Sequence, residues 1–274
     1  METTYLADGF TAVDQTHKEH IYADCLNYID SIPYFAESKA RSYELLELSE
    51  AKAVLDIGCG VGSDVLRMAQ LVGEDGRVTG VDQSAFMIEK SREQSRLNCE
   101  EKAVFQMADA KALPFMSQTF DRCRIDRVLQ HIPQPGSVID EAFRILEPGG
   151  KLVIYDNDWS SFSLSITDKR VSRIIEEYWC DAFVNGSVAL HIKSYLRHAG
   201  FQETVLYPST LVLDDFAVAD KIYDIKQTVL RTCKEGLLTL DEAENTIAEL
   251  QRQTSDHTFM CTLTSYMFAA VKAF

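Results

Sequence analysis

Between residues 52 and 156 the chain alternates short apolar runs with helical patterns, and few folds accept that order. KAVLDI (52–57), GRVTGVD (76–82), KAVFQMAD (102–109), FDRCRID (120–126) and KLVIYD (151–156) have strand length and strand composition. SDVLRMAQLV (63–72), SAFMIEKSREQSRLN (84–98) and SVIDEAFRIL (137–146) carry the periodicity of amphipathic helices. Strands separated by crossover helices pair in parallel, which predicts an α/β, doubly wound, mostly parallel sheet. In such sheets ligands sit outside the carboxyl ends of the strands. Asp56, Asp82, Asp109, Asp126 and Asp156 all fall at or just past those ends. Five acids on one rim mark it as the place to look for chemistry.

The flanking segments read as cover. Residues 12–48 form two helices broken at Pro33, and residues 1–48 are expected to be an N-terminal helical cap. A helix at 187–199 leads to the strand FQETVLYP (201–208), and a last strand lies within 258–274. Residues 49–274 are then one domain with insertions at about 160–186 and 209–256. If 201–208 runs parallel to the earlier strands, the second insertion leaves from the ligand rim and covers it.

Bulk properties narrow the function. A formal net charge of −15 argues against a nucleic-acid partner, which needs lysine and arginine to neutralise phosphates. The seven cysteines are scattered, odd in number and without a C-x-x-C pair, as expected of reduced thiols. METTYLADGF has no basic segment followed by an apolar one, so no secretory signal is expected there. No apolar run approaches the roughly 18–20 residues of a membrane span. The expectation is a soluble, cytoplasmic protein acting on a small molecule, with neither membrane nor nucleic acid as partner.

AKAVLDIGCGVGSD (51–64) sharpens this. Its glycines stand at 58, 60 and 62, and Ser63 occupies the place where a nicotinamide-binding G-x-G-x-x-G would have its third glycine. With VDQS, MADAKALPF, FDRCRIDRVLQHI and RILEPGGKLVI in that order, the chain resembles the class I S-adenosylmethionine-dependent methyltransferases. The likeness is to the small-molecule, ubiquinone/menaquinone-type branch, over roughly residues 40–156. It implies a seven-stranded Rossmann-like sheet with helical cap insertions, and S-adenosyl-L-methionine as cofactor. It also implies roles: Gly58, Gly60 and Gly62 for close backbone approach, and Asp56 beside the cofactor's positive groups. Asp82 would take the ribose hydroxyls, and Asp109 with the Ala110 N–H the adenine edge. Gln83 and Met87 would pack on the adenine face, with Asp126 and Arg127 completing the set. Asp64 reads instead as a helix-opening acid, and Cys59 as a small buried filler.

For the acceptor, the resemblance implies in-line methyl transfer under a helical lid. His131, in LQHI past the fourth strand, is the candidate catalytic base, the alternative being a histidine packed at the rim. His17 and His20 read as a solvated face. No metal site is expected, although Asp126, Asp156 and Asn157 could instead hold magnesium, as in catechol-type O-methyltransferases. Against that, Leu129 stands where that family keeps a lysine, and Arg127 can neutralise Asp126. The cysteine trio of arsenic methylation is missing, with Val65 at one of its places. So are the motifs of base and arginine methylation. Tyr22, Tyr28, Phe35, Trp159, Phe162, Tyr178, Trp179 and Phe183 point to a partly aromatic or apolar acceptor. Two rivals remain: a module that binds the cofactor without turnover, and a dehydrogenase on the same sheet.

Overall fold

The computed structural model describes residues 5–273. The first four residues of METTYLADGF and residue 274 of the predicted last strand lie outside that range. The chain opens with a single turn, α1 (Leu6–Gly9), and a 3-10 segment, Phe10–Gln15. Two helices follow, α2 (Glu19–Asp30) and α3 (Pro33–Leu46). Pro33 takes the first turn of α3, where its missing N–H costs nothing, and Ile32 before it is extended.

The alternating region then folds as its periodicity requires. β1 (Ala53–Ile57), α4 (Ser63–Leu71), β2 (Arg77–Asp82), α5 (Ala85–Leu97), β3 (Ala103–Met107), β4 (Phe120–Asp126), α6 (Pro135–Ile145) and β5 (Leu146–Leu164) succeed one another. Val54, Leu55 and Ile57 are wholly buried because helices cover both faces of the sheet. Ser84 caps α5 by accepting from the Met87 N–H.

The remaining elements are α7 (Lys169–Asp181), a 3-10 turn Val188–His191, α8 (Ile192–Ala199), β6 (Phe201–Leu213), α9 (Phe216–Tyr223), α10 (Ile225–Lys234), α11 (Leu240–Ser255) and β7 (Cys261–Lys272). The seven strands order as β3-β2-β1-β4-β5-β7-β6. β7 runs antiparallel to both β5 and β6, so β6 is parallel to the first five and ends at the same rim.

Two strands run past their predicted ends. β5 continues beyond Asp156 to Leu164, and β6 beyond Pro208 to Leu213. The cause is β7, which pairs Leu164 and Leu213 alike with Cys261. The predicted helix at 187–199 is likewise divided, into the 3-10 turn and α8. The extended strand ends meet α7, α9, α10 and α11 in an apolar cluster that includes Tyr5, Trp159, Phe162, Trp179 and Tyr223. Among the described residues, no helix is long and apolar enough to cross a membrane.

Candidate active site

A cavity of about 350 Å³ opens along the carboxyl rim, within the range of small-molecule sites. Gly58 and Gly60 line it directly, each with positive φ (75° and 52°) that L side chains rarely adopt. Asp82, at the end of β2, accepts from the Gly60 N–H at 3.0 Å and the Ser84 N–H at 2.9 Å. Burial nonetheless raises its pKa. Gln83, Met87, Asp109 and Ala110 complete this end. Met87 is buried, whereas the Asp109 side chain is half exposed and accepts from the Lys111 N–H. Chain without side chains, an acid beyond β2, an apolar floor, and an acid beyond β3 make a set that fits an adenosine-bearing cofactor with a charged tail.

Two residues assigned to that set by resemblance lie elsewhere. Gly62 is outside the lining; a Cβ there would meet Ser91 Cβ at 2.5 Å and Phe105 at 2.8 Å. It lets α5 and β3 pack beside the turn, while its own φ of 83° opens α4. Asp56 is also outside the lining, on the sheet face covered by α3. Its parallel register partner on β4 is Arg124, and their side chains pair at 3.2 Å. The charge meant to face the cofactor is already matched.

That pair belongs to an alternating chain of charge. Arg67 holds Asp30, Asp30 holds Lys39, and Lys39 holds Asp64. Asp64 also meets Arg124, which contacts Asp126, and Asp126 binds Arg127 at 2.6 Å. Asp64 is therefore not a helix cap: its carboxylate accepts from the Tyr43 hydroxyl at 2.5 Å. Burial would raise its pKa, but Arg124 and Lys39 outweigh burial and hold it well below the usual range. Asp56, more deeply buried, rises to about 7 against the pull of Arg124. Asp126 and Arg127 do line the cavity, but away from the glycine turn: the Arg127 guanidinium lies 5.1 Å over the Phe35 ring.

The oxygen set of the magnesium alternative is engaged by protein. Asp126 is held by two arginines. Asp156 lies outside the lining, raised to about 7 by burial, and accepts from the Leu129 and Asn157 N–H groups. Asn157 accepts from Ser265 at 2.8 Å. Among the described residues, no three His, Cys, Asp or Glu side chains converge as a metal site.

The far end of the cavity is aromatic. Phe35, Trp159, Trp179 and Phe183 line it, with Trp159 and Phe183 stacked at 4.4 Å. Tyr22, Tyr28, Phe162 and Tyr178 do not. Tyr22 packs on Phe10, Tyr28 lies under Lys221, Phe162 sits in the core, and Tyr178 bonds Glu235. His131 lines this end in the 3-10 turn Leu129–His131, between Phe10 and Phe183. Burial, aided by Arg127, lowers its pKa to about 4, so it is neutral at physiological pH. Phe10, Tyr223 and Gln130 are lining residues that sequence reasoning missed. Gln130 alone had a local signal, a polar side chain beside His131 in LQHI. Cys59 is buried with its thiol pKa raised, and His17 and His20 are exposed.

A model described as a methyltransferase domain matches residues 48–204, more than half of the chain. The chain belongs to the methyltransferase domain family. The class I reading from the five ordered segments therefore holds, with S-adenosylmethionine as the cofactor of this methyltransferase. It is similar to an uncharacterized 37.1 kDa protein in transposon TN4556 of Streptomyces fradiae, at 32% identity over 226 residues. That match covers 80% of this chain and 64% of the relative. It is also similar to the 27-O-demethylrifamycin SV methyltransferase of Amycolatopsis mediterranei, at 35% over 113 residues, 41% of each chain. The matched regions thus span less than two thirds of either curated relative. Among solved structures, Haemonchus contortus phosphoethanolamine N-methyltransferase 2, in complex with S-adenosylhomocysteine, shares the fold at a TM-score of 0.64. That match has 18% identity and covers 100% of this chain and 62% of that one.

Proposed function

We propose that this methyltransferase transfers a methyl group to a small, planar, largely apolar molecule held at the aromatic end of the cavity. One observation carries this: a single cavity runs from the glycine turn to an aromatic cage with a histidine inside it. The kinship with a rifamycin-precursor methyltransferase supports a small-molecule acceptor.

The bound cofactor supplies an electrophilic methyl on a sulfonium. The chain supplies position and shelter. Gly58 and Gly60 admit close approach because no side chain intrudes. Asp82 accepts hydrogen bonds from hydroxyl groups, pre-oriented by the Gly60 and Ser84 N–H groups. Asp109 and Ala110 meet the base edge beyond β3, and Met87 and Gln83 flank the ring. Phe35, Trp159 and Phe183 align a flat acceptor and exclude water, most of what an in-line displacement asks of a protein.

The test is a thermal shift with S-adenosylhomocysteine, against NAD, on wild type and Asp82→Ala. Ligand at about 100 times its Kd adds roughly 2.7 kcal/mol, a rise of several degrees. Asp82→Ala should weaken binding by at least about 1.5 kcal/mol, the low end for a charged hydrogen-bond partner. A shift with NAD alone, or none with the sulfur ligand, refutes the reading.

A further inference from the structure

Gln130 holds its amide in a fixed sense. The Trp159 indole, which can only donate, gives its N–H to Gln130 Oε1 at 3.0 Å, and Asn157 Nδ2 adds a second at 3.4 Å. The oxygen is thereby identified, and the opposite end of the amide is its NH2. That group stands 3.0 Å from His131 Nε2. An amide NH2 cannot accept, so Nε2 is the bare, accepting nitrogen. A neutral imidazole then carries its proton on Nδ1. Nδ1 is buried without a partner among the described residues, on a side chain that lines the cavity. His131 is thus set up to donate a proton in a hydrogen bond, the opposite of a base.

Arg127 lines the same end. Its Nε bonds Asp126, and no hydrogen bond from its terminal nitrogens occurs among the described residues. Asp126 is shared with Arg124, so it offsets the Arg127 charge only in part. The other charged lining residues, Asp82, Asp109 and Lys111, belong to the glycine-turn end. The Tyr223 hydroxyl, also buried and unpartnered among the described residues, is on a third lining side chain. A half-matched cation beside an unused donor in an apolar chamber favours an anion.

We propose that this methyltransferase takes its acceptor as an oxyanion, a phenolate or enolate, seated between His131 Nδ1–H and the Arg127 guanidinium, with Gln130 the positioning residue that makes His131 a donor. The inference rests on the methyl-transfer reading and names its substrate class. On binding, the acceptor's O–H bond breaks, its proton passes to solvent, and the electron pair stays on the oxygen. No protein base is required.

The experiment uses para-nitrophenol as probe, with para-nitroanisole as the form that cannot ionise, on the full chain saturated with S-adenosylhomocysteine. Phenolate absorbance should show the bound probe's pKa lowered by at least about one unit, tenfold in its ionisation. The anisole should bind at least tenfold more weakly. Gln130→Glu keeps an acceptor for Trp159 but accepts from His131 Nε2–H, so the probe's shift should vanish. Nitrogen-15 spectra should place the His131 proton on Nδ1 in wild type and on Nε2 in Gln130→Glu, a change that a merely structural role would not produce. Arg127→Gln provides an independent variant that should also abolish the shift. A probe bound as neutral phenol, equal anisole binding, no probe binding, or a wild-type proton on Nε2 each overturns the proposal. Calorimetry with S-adenosylhomocysteine alone separates the two readings: binding retained without phenolate preference refutes only the oxyanion, and no binding refutes the cofactor site itself.

Discussion

Three glycines in one heptapeptide do different work. Gly58 and Gly60 face the cavity, while Gly62 keeps α5 and β3 in contact beside the turn. Gly62→Ala forces a side chain onto a left-handed residue and into Ser91, so it should cost about 1–3 kcal/mol of stability. A urea titration would measure that loss, and S-adenosylhomocysteine affinity of the folded variant should remain within about twofold. A large affinity loss with unchanged stability would put Gly62 back in the binding set. At this scale the sequence was legible where the local chain decides the outcome: Asp82 and the glycine turn follow from one strand, one turn and one helix. Asp56 was not, because its partner Arg124 is 68 positions away and only strand register brings the two together. His131 reaches the cavity because it follows β4, a placement the sequence order alone predicts. Its role as a donor depends on Trp159 fixing the Gln130 amide, a contact no local pattern encodes.

At the scale of elements, the charge chain fastens α3 and α4 to the sheet. Arg124 sits at its centre, with 2% of its side chain exposed, touching Asp56, Asp64 and Asp126. In Arg124→Leu, Asp64 keeps Lys39 and Asp126 keeps Arg127, but Asp56 keeps no ion-pair partner among the described residues. Breaking a buried pair in this way costs about 3–5 kcal/mol. Asp56 is protonated below its pKa of about 7 whether or not Arg124 is present, and losing Arg124 raises that pKa further. The deficit should therefore be flat below about pH 7 and grow as pH rises from there to about 9. Chemical denaturation across that range would check the sign, and a deficit independent of pH would deny that Asp56 is the orphan. The alternation of acid and base in FDRCRIDR hinted at such pairing, yet the other half of the network comes from helices far away in the chain. Strand lengths teach the same lesson. β1 to β4 end where their own sequences change character, whereas β5 and β6 end where β7, about a hundred residues after β5, ceases to pair with them.

Across the whole molecule, the opening segment touches both ends of the cavity. Thr11 accepts from Gln83, and Asp14 accepts from Ser84 and Ala85 at the cofactor end. Tyr5 bonds Thr228 and packs on Trp179, and the Leu6 N–H donates to Asp224, at the acceptor end. Leu6, Phe10, Thr11 and Val13 form part of the wall between. One short strap therefore borders both ends of a single cavity, which has a kinetic meaning. Spent cofactor and methylated product should leave at a common rate, set by how often the strap lifts rather than by how tightly either is held. Asp14→Ala loosens the cofactor-side latch, and stopped-flow release should show both departures accelerated by the same factor. Two unequal changes would mean two doors. With one door, every exchange of cofactor or acceptor waits on the same opening of the strap.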